Sequence, residues 1–329
     1  MRNRLIFLFI LVVTFIAIAI IGSRFVNQSP ADVPVNNNLQ FVESEPVETE
    51  TTEINNDAVK KQIDRLDPTA IPLGDGKVSN SPKVGYVFSC QTNFRQTSNL
   101  HGGEWIEGDT WDSTQKLYVL GSVAWPTASF STSLQNVSRT LTGNGLPISH
   151  TTGIFPIKRT DPAWQYDRNP NPITATEFRY SIPAKPVLAR EASCVPMGIV
   201  GYTLNGVALY NALDDAGLDA AAHEVQDTCD GHPQMAGQYH YHGPSDCISD
   251  INQNNKLIGY ALDGFGIYSR YDADGVEYTN ADLDACHGIT SEIEWDGEVV
   301  EMYHYVMTRE YPYTIGCFRG TPIQTRAER

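Results

Sequence analysis

The sequence predicts a mainly β protein, a β-sandwich-like fold or a set of mixed antiparallel sheets, with few short helices and with disulfide bonds. Three observations support this fold class. Aromatic residues make up 10% of the 329 residues, and short aromatic or β-branched runs are separated by Gly, Pro, Asn and Ser. Long amphipathic helical patterns are scarce. Six cysteines follow an N-terminal apolar segment, which favours an oxidising compartment where disulfides form.

The N-terminus has the composition of an export segment. Two arginines, Arg2 and Arg4, precede an apolar run over residues 5–22, which is at the lower limit for crossing a bilayer. Residues 1–24 are therefore expected to be either an uncleaved signal anchor or a cleaved signal peptide. The basic flank predicts that the rest of the chain is extracytoplasmic, anchored in the cytoplasmic membrane or, after cleavage, secreted or periplasmic.

The next segment, residues 25–80, is expected to be an acidic, disordered linker. Residues 43–53 are polar and acidic without an aromatic side chain, so they cannot bury enough apolar surface to offset chain entropy. The folded domain is expected over residues 81–329. A formal net charge of -16 argues against nucleic acid as a partner, and against membrane contact except through the N-terminal segment. A small-molecule, glycan or protein partner stays open.

Alternating and apolar runs predict the strands of this domain. Strands are expected at residues 85–90, 116–120, 177–182, 199–204, 207–211, 257–262 and 299–307. The Asn205-Gly206 pair predicts a β-hairpin, and residues 271–276 predict another turn, since their acidic spacing does not match a calcium loop. One helical stretch is expected at residues 218–225, with Asp215 or Asp219 near its start.

The cysteines are expected to form three disulfide bonds. Chain order suggests the pairs Cys229–Cys247, Cys286–Cys317 and Cys90–Cys194. With every cysteine paired, a cysteine nucleophile is not expected. A zinc site that uses Cys229 and His232 is a competing interpretation, because a Cys-x-x-His spacing is typical of zinc ligands.

The strongest chemical signal is the segment Gln238-Tyr239-His240-Tyr241-His242-Gly243. Side chains alternate between the two faces of a strand, so His240 and His242 are expected to point one way and the tyrosines the other. Two neutral imidazoles at this spacing can share one transition metal ion, and copper or zinc suits an exported protein. The alternative is a pair of solvent-facing histidines on an aromatic strand.

A third histidine lies close to this segment in sequence. His232 belongs to the loop that a Cys229–Cys247 bond would hold beside the strand, and Glu224 and Asp227 could orient it. The alternative is that Glu224 and Asp227 are solvent-exposed residues at the end of a helix. Nothing in the sequence fixes the position of His287, and three further histidines are expected to be ordinary surface residues, namely His101, His150 and His223.

Two residues farther along the chain are also candidates for the metal shell. His304 lies in Met302-Tyr303-His304-Tyr305-Val306, a partial copy of the first motif in which Val306 replaces the second histidine. Its alternative is a buried histidine bonded to a backbone carbonyl. Asp263, between an apolar run and a glycine, is the preferred carboxylate, as ligand, as acceptor for a ligand histidine or as general base. Its alternative is a turn cap.

Several motifs occur in order over residues 190–320. They include Cys229-x-Gly231-His232-Pro233, Gly237-x-Tyr239-His240-Tyr241-His242, the stretch at residues 259–268 and the stretch at residues 311–320. Together they resemble the YHYH domain family, a family of secreted bacterial domains of unknown function. The resemblance implies export, and it implies no particular reaction. The chain departs from a symmetric two-motif pattern at Val306.

The leading hypothesis is an extracytoplasmic domain that binds copper or zinc through His240 and His242, with His232, His304 or Asp263 completing the shell. One alternative is a metal-dependent hydrolase or oxidoreductase of unknown substrate and unknown catalytic residues, in which an open coordination position activates water or oxygen. Another is a non-catalytic adhesion or interaction module. An open pocket at the histidines favours the enzyme, and a flat, sealed cluster favours the module.

Overall fold

The computed structural model describes residues 62–94 and 102–324, which belong to a unit spanning Asp57–Arg329. The predicted export segment and residues 25–61 of the predicted linker lie outside the described residues. Within the described ranges, no helix is both long enough and apolar enough to cross a membrane.

The N-terminal part of this unit forms three small sheets from eight strands. The strands are β1 (Ile71–Pro72), β2 (Val78–Ser79), β3 (Val87–Phe88), β4 (Ile106–Glu107), β5 (Thr110–Trp111), β6 (Phe130–Gln135), β7 (Ser138–Gly143) and β8 (Phe178–Pro183). The sheets have the orders β1-β5-β4, β2-β3 and β6-β7-β8. Only the pair β2-β3 is parallel. A short 3-10 helix, Pro162–Gln165, precedes β8.

The predicted linker boundary at residue 80 is corrected by this part of the fold. Ile71 is buried in an apolar cluster with Trp105 and Trp111. The backbone N–H of Gly74 donates to Asp219 at 2.8 Å. Residues 62–80 are therefore part of the folded unit. Although this segment is mostly polar, burial of its few apolar side chains holds its short strands against the rest of the protein.

A mixed sheet of eight strands carries the candidate site. Its strands are β9 (Ile199–Thr203), β10 (Ala208–Tyr210), β11 (Gly231–Pro233), β12 (Tyr239–Tyr241), β13 (Leu257–Ala261), β14 (Gly266–Tyr268), β15 (Gly288–Trp295) and β16 (Glu298–Val306), in the order β11-β12-β10-β9-β13-β14-β16-β15. A one-turn helix, α1 (Ala220–His223), precedes β11, and Asp219 caps its N-terminus. All residues of β9, β10, β11, β12 and β14 are buried, so other segments cover both faces of this sheet.

The eight-stranded sheet consists of two four-strand units that repeat each other, a first unit of β9 to β12 and a second unit of β13 to β16. The β9–β10 and β13–β14 hairpins are antiparallel, β10 pairs with β12 and β14 with β16 in parallel, and the remaining pairs are antiparallel. The registers are symmetric about the central Tyr202–Tyr260 pair. Residues 201–210 and 259–268 also share the pattern Gly-Tyr-x-Leu-x-Gly-x-x-x-Tyr. The partial motif copy seen in the sequence is thus one part of a repeated structural unit.

The two units use the same polar anchor. Asp227 accepts a hydrogen bond from the hydroxyl of Tyr239 at 2.9 Å, and Asp284 accepts one from Tyr303 at 3.1 Å. In each case the same carboxylate oxygen also accepts the backbone N–H of the following cysteine, at 2.9 and 2.8 Å. These bonds tie the loop before β11 to the tyrosine-containing strand β12, and the loop before β15 to the tyrosine-containing strand β16.

The fold confirms the predicted class, the three disulfide pairs and most of the predicted strands. Residues 116–120 are not a strand and form one isolated bridge, from Val119 to Asp227. The Asn205-Gly206 hairpin is present, with Gly206 at a φ of 87°, a conformation that favours glycine. At residues 271–276, the backbone N–H of Val276 donates to Asp272, as expected for a turn.

Candidate metal centre

Three histidines converge because of how β11 and β12 pair. His232 lies directly opposite His240 in the antiparallel register, which places both side chains on one face of the sheet. His242 follows two residues later and points the same way, as predicted. The ring centroids are 4.5 Å apart for His232 and His240, 4.8 Å for His240 and His242, and 5.5 Å for His232 and His242. One nitrogen of each ring lies within 4.8 Å of the others, which is close enough for a shared ion.

The tyrosines of the motif hold the strand from its other face. The Tyr239 hydroxyl donates to Asp227, and the Tyr241 hydroxyl accepts from the Asn205 amide at 3.1 Å. His150 also contacts the Tyr241 hydroxyl, at 2.5 Å. Burial raises the pKa of both tyrosines well above the ordinary value, so they stay protonated and keep these bonds.

A disulfide bond closes the loop that carries His232. Cys229 and Cys247 are bonded to each other, with a Cα–Cα distance of 5.4 Å. The competing interpretation, a zinc site that uses Cys229, is therefore wrong, because a disulfide sulfur is not a thiolate ligand. The same bond removes both cysteines from a second group formed with His150.

Glu224 supplies a carboxylate to the cluster. It directly follows α1, whose C-terminus it caps through its backbone N–H. Its Oε2 lies 3.2 Å from Nε2 of His232 and 3.1 Å from Nε2 of His242. Burial would raise the pKa of Glu224, but the charges of the two imidazoles outweigh burial and hold that pKa well below its usual range. The carboxylate is thus ionised at the centre of the cluster.

Backbone carbonyls fix the tautomers of His240 and His242. Nδ1 of His240 lies 3.2 Å from the carbonyl of Gln238, and Nδ1 of His242 lies 2.6 Å from that of Asn211. A carbonyl only accepts, so each Nδ1 carries the proton and donates it. Both Nε2 atoms then present lone pairs, yet they are only 3.0 Å apart. Facing lone pairs at this distance need a proton or a metal ion to bind them.

The buried polar atoms of the cluster fit a metal ion. Nδ1 of His232 is buried without a hydrogen-bond partner among the described residues, and Nε2 of His232 and Oε2 of Glu224 are buried with only the ion pairs of the cluster, at 3.1 and 3.2 Å, to satisfy them. Such atoms are costly to bury unless something satisfies them. Three imidazole nitrogens and one carboxylate oxygen form a donor set that suits zinc or copper.

Burial and the charge of Glu224 set the pKa values of His240 and His242. Burial lowers the pKa of His242, but the carboxylate of Glu224 outweighs burial and raises that pKa above its ordinary value. Burial and the neighbouring imidazoles lower the pKa of His240 well below its ordinary value. His240 is therefore neutral and ready to ligate, while protons compete with a metal at His242.

His304 is not part of the cluster. Four strands lie between β12 and β16 in the sheet, so the two are five inter-strand spacings apart, about 24 Å at roughly 4.8 Å each. Nδ1 of His304 bonds the carbonyl of Met302 at 3.1 Å, which is the alternative that the sequence left open. His304 occupies in the second unit the place of His240 in the first, but Ile289 lies opposite it and Val306 follows it. The second unit therefore lacks the other imidazoles.

Asp263 also lies apart from the histidines. It accepts the hydroxyl of Tyr305 at 2.6 Å and the backbone N–H of Gly320 at 2.8 Å. Burial raises its pKa above the ordinary value of an aspartate. Its position in the second hairpin corresponds to that of Asn205 in the first, so its role is that of an anchor for a motif tyrosine.

The remaining histidines have separate roles. Nε2 of His287 contacts Thr308 at 2.9 Å, and His223 forms an ion pair with Asp75 at 2.9 Å. His101 lies outside the described residues. The prediction that His150 is an ordinary surface residue missed its contact with Tyr241. The suggested role of Asp227 in orienting His232 is not what the structure shows, because Asp227 binds Tyr239 on the opposite face.

The histidine cluster lines a large cleft. His232, His240, His242 and Glu224 all form part of its wall, and its volume is about 1270 Å³. The three imidazoles are only 2–5% exposed, so the cluster is buried at the wall of the cleft and does not form a flat surface patch. Tyr210 stacks on His240 with ring centroids 3.8 Å apart and fixes its plane.

These features define a class of protein: a disulfide-stapled β domain whose repeated four-strand unit carries a histidine-rich candidate metal centre in its first copy. Residues 179–280 match the family model described as "YHYH protein", so the chain contains a YHYH domain, as its motifs predicted. The match includes the entire histidine cluster and ends before β15. No curated protein and no solved structure matches the chain. The disulfides and the family are consistent with an extracytoplasmic location.

Proposed function

We propose that this domain binds one transition metal ion, copper or zinc, through His232, His240, His242 and Glu224. The observation that carries the proposal is the convergence of four donor groups whose buried ligand atoms otherwise lack satisfactory partners. Two of the imidazoles are oriented by backbone carbonyls, an arrangement common among metal-ligating histidines. The metal ion takes the place of the protons that the facing imidazole nitrogens need when no ion is bound.

Elemental analysis of the purified full-length protein tests this proposal. After incubation with zinc or copper and removal of excess metal, we expect about one ion per chain in the wild type. His240→Ala with His242→Ala should abolish the bound metal. His304→Ala is the matched control, since it removes the equivalent histidine of the second unit and should leave the metal content unchanged. A wild-type protein that binds neither metal would refute the proposal.

A second candidate function is a metal-dependent hydrolase or oxidoreductase. The cleft at the cluster favours it over an adhesion or interaction module, because a module needs no large cavity beside its histidines. Three imidazoles and a carboxylate leave room for a coordinated water if Glu224 releases the ion or if a fifth position is used. Screening the metal-loaded and metal-free protein with ester, phosphoester and oxidisable substrates tests this candidate. Turnover of no substrate by the loaded protein would favour the module.

The location of this activity is also part of the proposal. We propose that the domain works outside the cytoplasm, held at the cytoplasmic membrane by residues 1–24 or released if they are cleaved. The three disulfides support export, since they form in oxidising compartments. Mass spectrometry of the mature N-terminus distinguishes anchor from cleaved signal, and an intact protein in the cytoplasmic fraction would contradict export.

A further inference from the structure

The cleft beside the histidine cluster is larger than a metal ion requires. Its volume of about 1270 Å³ exceeds the space that organic ligands commonly fill, roughly 300–1,000 Å³. His232 lines this cleft while it is only 5% exposed; its Nε2 pairs with Glu224 at 3.2 Å, and its Nδ1 has no hydrogen-bond partner among the described residues. A buried ring nitrogen without a partner at the wall of a large cleft indicates a place for an organic ligand beside the ion.

The cleft wall carries carboxylates that no lysine or arginine among its described lining residues balances. Asp214, Asp215 and Glu224 line it, and the lining residues in the described part of the chain include no lysine or arginine. Burial and the charges of Glu224 and Asp215 raise the pKa of Asp214, because these carboxylates repel one another. A divalent ion would balance two of the three negative charges, so the cleft stays negative when the metal is bound.

The rest of the wall provides apolar contacts and neutral hydrogen-bonding groups. Leu262, Phe318 and Ile323 contribute apolar side chains, and Gln91 and Asn171 contribute amides. The segment with Ile323 is fixed to the sheet, since its backbone N–H donates to the carbonyl of Leu262 at 3.0 Å. The cleft thus combines a negative region with apolar surface, which suits an amphiphilic cation.

We propose that the cleft binds a small organic amine, with its ammonium group near Asp214 and Asp215 and its apolar part against Leu262 and Phe318. The inference rests on the proposed metal centre, which forms the histidine side of the cleft. Ligands that carry a carboxylate or phosphate are disfavoured, because the wall offers them no lysine or arginine. An amine gains attraction to two carboxylates without having to displace the ion.

Three probes that share one ring test the ligand class. Benzylamine, benzyl alcohol and benzoate differ mainly in charge, and isothermal titration calorimetry compares their binding to the full-length protein, metal-loaded and chelator-stripped. We expect benzylamine to bind about tenfold more tightly than benzyl alcohol, and benzoate to bind most weakly. Added salt should weaken the binding of benzylamine and leave that of benzyl alcohol unchanged.

Asparagine variants of Asp214 and Asp215 test whether these carboxylates bind the ammonium group. Asp215 is exposed, and Asp214→Asn keeps an oxygen that can accept the backbone N–H groups of Ala216 and Leu218, so both asparagine variants should fold. Each should weaken benzylamine binding about threefold and leave benzyl alcohol unaffected. Glu301→Gln removes the same charge from an exposed position of β16 outside the cleft and should change neither.

Benzoate binding as tightly as benzylamine would overturn the proposal, and so would no benzylamine binding at millimolar concentration or no loss in Asp214→Asn. Metal content measured on the same samples separates this failure from that of the proposed function. A protein that holds no ion but prefers benzylamine contradicts the metal centre alone. A protein that holds the ion but prefers benzoate contradicts the ligand class alone.

Discussion

Replacing Glu224 with Gln tests whether its carboxylate is a metal ligand. The substitution preserves size but removes one negative charge whose oxygen lies 3.1 and 3.2 Å from two imidazole nitrogens. Opposite charges about 4 Å apart interact by about 4 kcal/mol at an effective dielectric constant near 20. Part of this is offset because the wild-type carboxylate must itself be desolvated. We expect a net loss of about 2.7 kcal/mol, which corresponds to about 100-fold weaker metal binding.

Competition with a chromophoric chelator measures this loss for zinc and for copper. Glu301→Gln is the control, since it removes an equal charge from an exposed site on β16. The same substitution should lower the pKa of His242 in the metal-free protein, because the Glu224 charge is what raises it against burial. NMR of the imidazole carbons measures that pKa. Unchanged metal affinity in Glu224→Gln, alongside lost binding in His240→Ala, would refute the assignment of Glu224 as a ligand.

Three further predictions concern pH, the anchor and the repeat. Metal affinity should fall by up to about tenfold per pH unit below the raised pKa of His242, because the ion needs the unprotonated Nε2; chelator competition at several pH values checks this, and a flat profile would count against His242 as a ligand. Asp227→Asn should cost about 2–3 kcal/mol in urea unfolding, because the buried carboxylate accepts four donors. Asp284→Asn should cost less, since its side chain is 40% exposed, and equal losses would contradict this reasoning. Ile289→His with Val306→His should raise the metal content from about one to about two ions per chain, and a folded variant that still holds one ion would contradict the equivalence of the two units.

Local patterns in the sequence predicted the first copy of the motif well. Strand alternation placed His240 and His242 on one face, and the order of the cysteines gave the bond that positions the His232 loop. The first inference depends only on neighbouring residues of one strand, and the second depends on a covalent bond between cysteines. Both kinds of information can be obtained from the sequence itself. Glu224 was recognised only as a group that could orient His232. Its contact with two imidazoles depends on where a one-turn helix ends, which periodicity does not specify.

Long-range placement was the part that sequence could not supply. His304 was a candidate ligand because its motif resembles the first, but resemblance between two segments does not make them neighbours. The units meet through β9 and β13, so their aromatic strands lie on opposite sides of the sheet centre. Asp263 was misplaced for the same reason. Its apolar surroundings indicated a buried partner, and that partner is the hydroxyl of Tyr305.

The repeat separates the residues that build the fold from those that build the site. Both units keep the aspartate, the cysteine and the paired tyrosines that anchor the aromatic strand. They differ at the positions that face the cleft in the first unit, where Ile289 and Val306 replace two histidines. The second unit folds with apolar side chains there, so the fold does not require imidazoles at these positions. The tyrosines of the motif therefore serve the structure, and the histidines of the first unit are the residues on which the proposed metal site depends.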